Sequence, residues 1–158
     1  MLGDQLSVQR IEDVFELSEK LLQATDALTG HAADLGGLPA AHYVNMAGRN
    51  RMLSQRIGKF FLFREWPSLD EKIAVLTPPS CHEFESNLQT LRKTANIPPE
   101  VAAQLRVVAS QWQKFIQTLC PDLSHAARTQ HARLVMAEGE RLLRGVDTTV
   151  KLFERLTK

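Results

Sequence analysis

Apolar positions recur along the chain at the three- and four-residue intervals of a helix, and no stretch keeps the strict alternation of a strand. The first run carries Ile11, Val14, Phe15, Leu21, Leu22 and Leu28 and ends near Gly30, which describes one amphipathic helix. A Gly-Gly-Leu-Pro stretch separates it from a second helix, about Ala40 to Trp66, stopped by Pro67. Ser80 with Glu83 forms a capping box ahead of Phe84, Leu88 and Leu91, so a short helix is expected to begin after Pro78 and Pro79 and to end before Pro98. Pro98-Pro99-Glu100 opens a fourth segment, whose Val101, Leu105, Val108, Trp112, Phe115 and Leu119 follow the helical repeat until Pro121 closes it. Ser124 can cap the last helix, which carries Leu134, Val135, Leu142, Val146, Val150 and Phe153. Five helices with modest loops predict an all-α fold. The expected architecture is an antiparallel four-helix bundle over residues 38–158, with an additional N-terminal helix over residues 1–30 that extends or flanks it.

The second helix departs from a plain packing pattern. NMAGRNRMLSQRIGK, from Asn45 to Lys59, places three arginines and two glycines inside it, although a glycine in a helix interior costs about 1 kcal/mol against alanine. At about 100° per residue, Tyr43, Met46, Ala47, Leu53, Ile57, Phe60 and Phe61 gather on the core side. Arg49 and Arg56 share another sector with Asn45 and read as solvated or rim charges. Arg51 falls on a third stripe with Val44, Gly48, Gln55, Gly58 and Leu62, semi-apolar and interrupted by one cation and one amide. Small residues let a second helix lie close, and a cation between close helices needs compensation. If the second helix comes from another copy across a two-fold axis, two Arg51 guanidiniums meet, and a small anion between them relieves the repulsion. The plainer reading has Arg51 snorkelling from the bundle edge or pairing with a carboxylate on a neighbouring helix.

The chain's 158 residues make one domain, long enough for a core of its own. A net charge of +1 and few aromatics argue against a nucleic-acid partner. No apolar run is long enough to span a bilayer, so direct membrane insertion is not expected. No charged n-region precedes a short apolar one at the start, so no export address is legible. Cys81 and Cys120 lack metal or redox spacing, but antiparallel packing of the third and fourth helices brings both thiols to one end of the bundle. A disulfide there requires an oxidising compartment.

Val44-Asn45-Met46-Ala47-Gly48-Arg49-Asn50-Arg51-Met52-Leu53-Ser54-Gln55-Arg56 resembles the signature I-N-x-A-G-x-x-R-M-L-S-Q-R of the PilJ-type sensor domain, departing only by Val for Ile. PilJ-type domains lie at the N-terminus of type IV pilus chemotaxis transducers and are related to the periplasmic sensor domains of nitrate/nitrite histidine kinases. Weaker similarity runs from about Leu38 to Phe153. The resemblance implies a sensor of a small oxyanion, nitrate or nitrite, bound at a dimer interface by Arg51. Gly48 would contribute from the backbone side, with Asn45, Gln55 and Arg56 in supporting roles. It also implies a periplasmic location, a homodimer and a downstream signalling protein as partner. Signalling members flank the bundle with transmembrane helices and add an output domain. The present sequence reads as a stand-alone binding protein or an excised part of a longer one.

No catalytic constellation has diagnostic spacing, and neither a cofactor nor a metal is expected. His125 and His131 miss the i, i+4 spacing of a metal pair, while His31, His42 and His82 fall in or beside loops. His131, in TQHARLV, lacks the downstream lysine and glycine of a phosphotransfer module. The chief alternative to a sensor is a helical protein–protein interaction module that dimerises without a small-molecule ligand.

Overall fold

A computed structural model describes the backbone of residues 2–36, 39–119 and 125–156, and the side chains of residues 8–28, 41–119 and 131–156. These residues form α1 (Leu2–Gly36), α2 (Pro39–Phe63), α3 (Pro67–Lys93), α4 (Pro99–Thr118) and α5 (His125–Arg155), with no strand among them. Proline sets the start of α3 and α4. Pro67 and Pro99 occupy the first helical turn, where a missing N–H costs nothing because that donor has no partner within the helix.

Four of the helices close a ring in which α2 packs on α5, α5 on α4, α4 on α3 and α3 on α2. Phe84, Leu88 and Leu91 of α3, Val101, Leu105, Val108, Trp112 and Phe115 of α4, and Val135, Leu142, Val146 and Phe153 of α5 meet Ala47, Leu53, Ile57 and Phe61 of α2 in one core. At its centre the Phe84 and Trp112 rings stack 4.0 Å apart. The Trp112 indole N–H donates to Glu85 at 3.2 Å, so the buried ring leaves no unpaired donor. Asn50 is fully buried; its amide donates to the Phe84 carbonyl and accepts from Asn87, both at 3.1 Å, tying α2 to α3. The helix α1 lies outside the ring against α2 and α3. It contributes Phe15 to a second cluster with Phe60, Leu69 and Ile73.

Several expected boundaries shift. The helix α1 continues to Gly36 rather than ending near Gly30, and α2 stops at Phe63, before the Arg64–Trp66 turn. The capping box at Ser80 starts nothing. Instead α3 runs unbroken from Pro67 through Pro78 and Pro79, and Ser80 is buried within it, donating to the Leu76 carbonyl at 2.8 Å. Both prolines sit on the outer side, where the carbonyls they leave without N–H partners can be hydrated. Burial of Leu69 and Ile73 on one side of them and of Phe84 and Leu88 on the other holds the helix through the break. Leu134, expected inside, is exposed beside buried Val135, and Val14, Leu21 and Leu28 of α1 face outward. The Cys81–Cys120 pairing, the Ser124 cap, the Pro121 stop and the side chains of His31 and His125 lie outside the described residues. No helix among the described residues is long and apolar enough to cross a membrane.

Candidate functional site

The stripe that carries Arg51 is the floor of a groove. Val44, Gly48, Arg51 and Gln55 of α2 line it, with Asn45 and Met52 beside them. Leu21 and Leu22 of α1 form one wall and Leu143 and Val150 of α5 the other, and among the described residues α1 does not pack on α5. The groove encloses about 930 Å³. Sequence reasoning gives Gly48 a closely approaching helix, but no heavy atom lies within 4 Å of where its Cβ would stand, so the glycine opens onto the groove. Gly58 behaves differently, meeting the Phe115 ring of α4 at ordinary contact distance.

Arg51 is lightly held. Its side chain is 58% exposed, and its Nε lies 3.4 Å from Asp147 Oδ1 of α5. That carboxylate is bound more closely by Lys151, whose Nζ is 2.7 Å from Oδ2. The Lys151 hydrogen bond holds Asp147 below the usual carboxylate range; burial opposes it, the Lys151 charge adds to the lowering, and Arg51 contributes least. Contact with a neighbouring helix's carboxylate is the plainer of the two arrangements the sequence allows. Its length and exposure leave the outer guanidinium nitrogens turned to solvent and open to a further acceptor. Asn45 and Gln55 make no side-chain hydrogen bond among the described residues, which leaves two amides facing the same space.

The other two arginines are not the solvated rim charges expected of them. Arg49 bridges Asp26 of α1 and Glu83 of α3, the latter at 2.5 Å. Arg56 does not line the groove; it turns toward α1 and α3, where its Nη2 lies 2.5 Å and its Nε 3.1 Å from Glu19, and its Nη1 reaches Ser80 at 3.4 Å. Lys59 adds 2.6 Å to Glu19 and 2.9 Å to Ser18, and both cations also lie over the Phe60 ring. Burial would raise the Glu19 carboxyl, but hydrogen bonds and charge from Arg56 and Lys59 outweigh it and keep the group ionised below its ordinary range. Helical position alone cannot distinguish a solvated arginine from one that meets a carboxylate on a helix whose placement is unknown.

These residues carry the signature on which the resemblance rests. A family described as the type IV pili methyl-accepting chemotaxis transducer N-terminal domain, PilJ, matches residues 37–142. The chain belongs to the PilJ family. No curated protein and no solved structure matches it. The PilJ match takes in α2, α3, α4 and the first part of α5. It therefore contains the floor of the groove and leaves α1, and the Leu143–Val150 wall, outside. As a PilJ member the protein is a sensor or signalling domain of the chemotaxis-transducer type. Among the described residues no group of three or more His, Cys, Asp and Glu side chains is placed to hold a metal ion.

Proposed function

We propose that this PilJ domain is a non-enzymatic, homodimeric sensor that binds a small oxyanion, nitrate or nitrite, through Arg51 in the groove between α1 and α5. Gly48 leaves the floor clear, Asn45 and Gln55 supply amide donors, and Arg56 supports the site from behind by fixing α1. The domain is read as an antiparallel four-helix bundle over residues 38–158, the short α2–α3 and α3–α4 connections favouring antiparallel neighbours. The helix over residues 1–30 flanks it. Family resemblance supports a periplasmic location and a signalling protein as downstream partner.

The observation that carries this reading is the half-exposed guanidinium over an open groove, bound only through Nε at 3.4 Å to a carboxylate that belongs first to Lys151. An oxyanion can take charge-assisted bonds from the outer nitrogens without leaving a buried charge unpaired. Loss of the exposed Arg51 contact costs little, about 0–1 kcal/mol, so the exchange is affordable and the affinity modest. Titration calorimetry with nitrate and with nitrite, on the wild type and on Arg51→Ala, tests it. Heat from at least one anion with the wild type and none with the variant is the expected result. No heat from the wild type with either anion overturns the reading in favour of the ligand-free dimerisation module, which the exposed apolar face of α1 also supports.

A further inference from the structure

The helix α1 has two apolar faces, and the rest of the chain uses one. Ile11 and Phe15 turn toward Phe60 and Leu69, whereas Val14, Leu17, Leu21 and Leu28 are 56%, 64%, 69% and 71% exposed. Apolar side chains scattered singly over a surface call for no explanation. These are not scattered. Positions 14, 17, 21 and 28, with Ala24 between the last two, alternate steps of three and four residues, the a/d spacing that pairs a helix with another of the same kind. Among the described residues α1 touches only α2 and α3, and none of them covers this seam.

We propose that two copies of the chain pair in parallel, α1 against α1 along this seam, and that the second copy's α1 then closes the mouth of the groove over Arg51. The seam is self-complementary, because the same a/d spacing on both helices supplies both knobs and holes. Its two flanks differ. One carries Asp13 and Lys20, the other Ser18 and Thr25, and the latter is also the lip of the groove. Parallel pairing sets each helix's Asp13/Lys20 flank against the other's Ser18/Thr25 flank. Lys20 of the second copy thereby comes to a groove whose lining includes the carboxylates of Asp26 and Glu154. Orientation follows from where the protein's bulk lies, on the Ser18 side of α1. A parallel pair sends the two bodies to opposite sides of the seam; an antiparallel pair crowds both onto one. The seam lies on α1, outside the PilJ match.

The pairing depends on no ligand; only the closing of the groove rests on the sensing reading. Sedimentation velocity on the wild type, on Val14→Glu/Leu17→Glu and on Val75→Glu is the first arm. Neither Val14 nor Leu17 lines the groove, and Val75 is an equally exposed control on α3. Expected are a dimer, a monomer with unchanged helical circular dichroism, and a dimer. A wild type that stays monomeric at every concentration reached, or a double variant that dimerises as well as the wild type, overturns the pairing. Oxidation of Leu21→Cys in a Cys81→Ser/Cys120→Ser background is the second arm, with Val75→Cys as its control. Leu21→Cys should form a covalent dimer and Val75→Cys none, and failure of the former overturns the parallel register. Nitrate titration is the third arm. An affinity about tenfold or more weaker in the double variant supports closure by the second copy. Equal affinity in monomer and dimer overturns closure while sensing stands, and an absence of heat in a wild-type dimer overturns sensing and closure while the pairing stands.

Discussion

Gly48 shows how a single position can be legible in type and misread in purpose. Its place on the Arg51 stripe follows from the sequence, and so does the expectation that something must excuse a glycine in mid-helix. The structure supplies space rather than a close neighbour. Gly48→Ala should therefore raise stability by about 0.5–1 kcal/mol, the propensity difference with no steric penalty. Urea denaturation measures this, and a loss of stability instead would place another backbone against the groove floor. Arg49 and Arg56 were the opposite case. Their sector on α2 is read correctly from a helical wheel, but the Asp26, Glu19 and Glu83 that pair with them come from α1 and α3, at separations that no local pattern encodes.

At the level of elements, α1 is held by charge as much as by apolar contact. Glu19, nearly buried between Arg56 and Lys59, is the centre of that attachment, and Glu16 with Lys72 adds an exposed pair at 2.9 Å. Because the folded state lowers the Glu19 pKa, the stability this group supplies is complete above its ordinary value of 4.5 and is lost as pH falls through the lowered folded value. Glu19→Gln should cost about 2 kcal/mol at neutral pH, since it strands two half-buried cations. It should also flatten the fall of stability as the pH drops below about 4.5. Thermal melts across that range check both, and an unchanged acid profile would mean that Glu19 is not the titrating anchor. The regular α4 was legible because its apolar repeat is unbroken, and so was the inward face of α5 apart from Leu134, which adjoins the buried Val135. The middle of α3 was not: two adjacent prolines outweigh any local helical signal, and only burial on either side of them overrides the break.

Across the whole molecule, the ring of α2, α3, α4 and α5 closes without α1. A chain beginning at residue 37 should stay helical by circular dichroism but melt at lower temperature. It should also bind a hydrophobic dye at the uncovered Phe60, Leu69 and Ile73. Collapse of that fragment to a disordered chain would show α1 to be part of the folding core. The all-helical class and the core of the ring were readable in advance, since periodicity reports which side of a helix is apolar, whereas Leu69 and Ile73 of the second cluster fall ahead of Pro78, where no helix was expected. Where α1 docks was not readable, because its two apolar faces compete for the same bundle and the sequence does not rank them. The division between the two clusters falls within α3. Its first half, with Leu69 and Ile73, belongs to the α1 side, and its second half, with Phe84, Leu88 and Leu91, to the ring. Pro78 and Pro79 stand at the join, where two successive backbone bonds are missing and bending is cheapest. A pull on α1 at Phe15 acts on the near side of that joint, while Asp26, bridged by Arg49 to Glu83, ties α1 to the far side as well, so the two halves of α3 answer to different points along one helix.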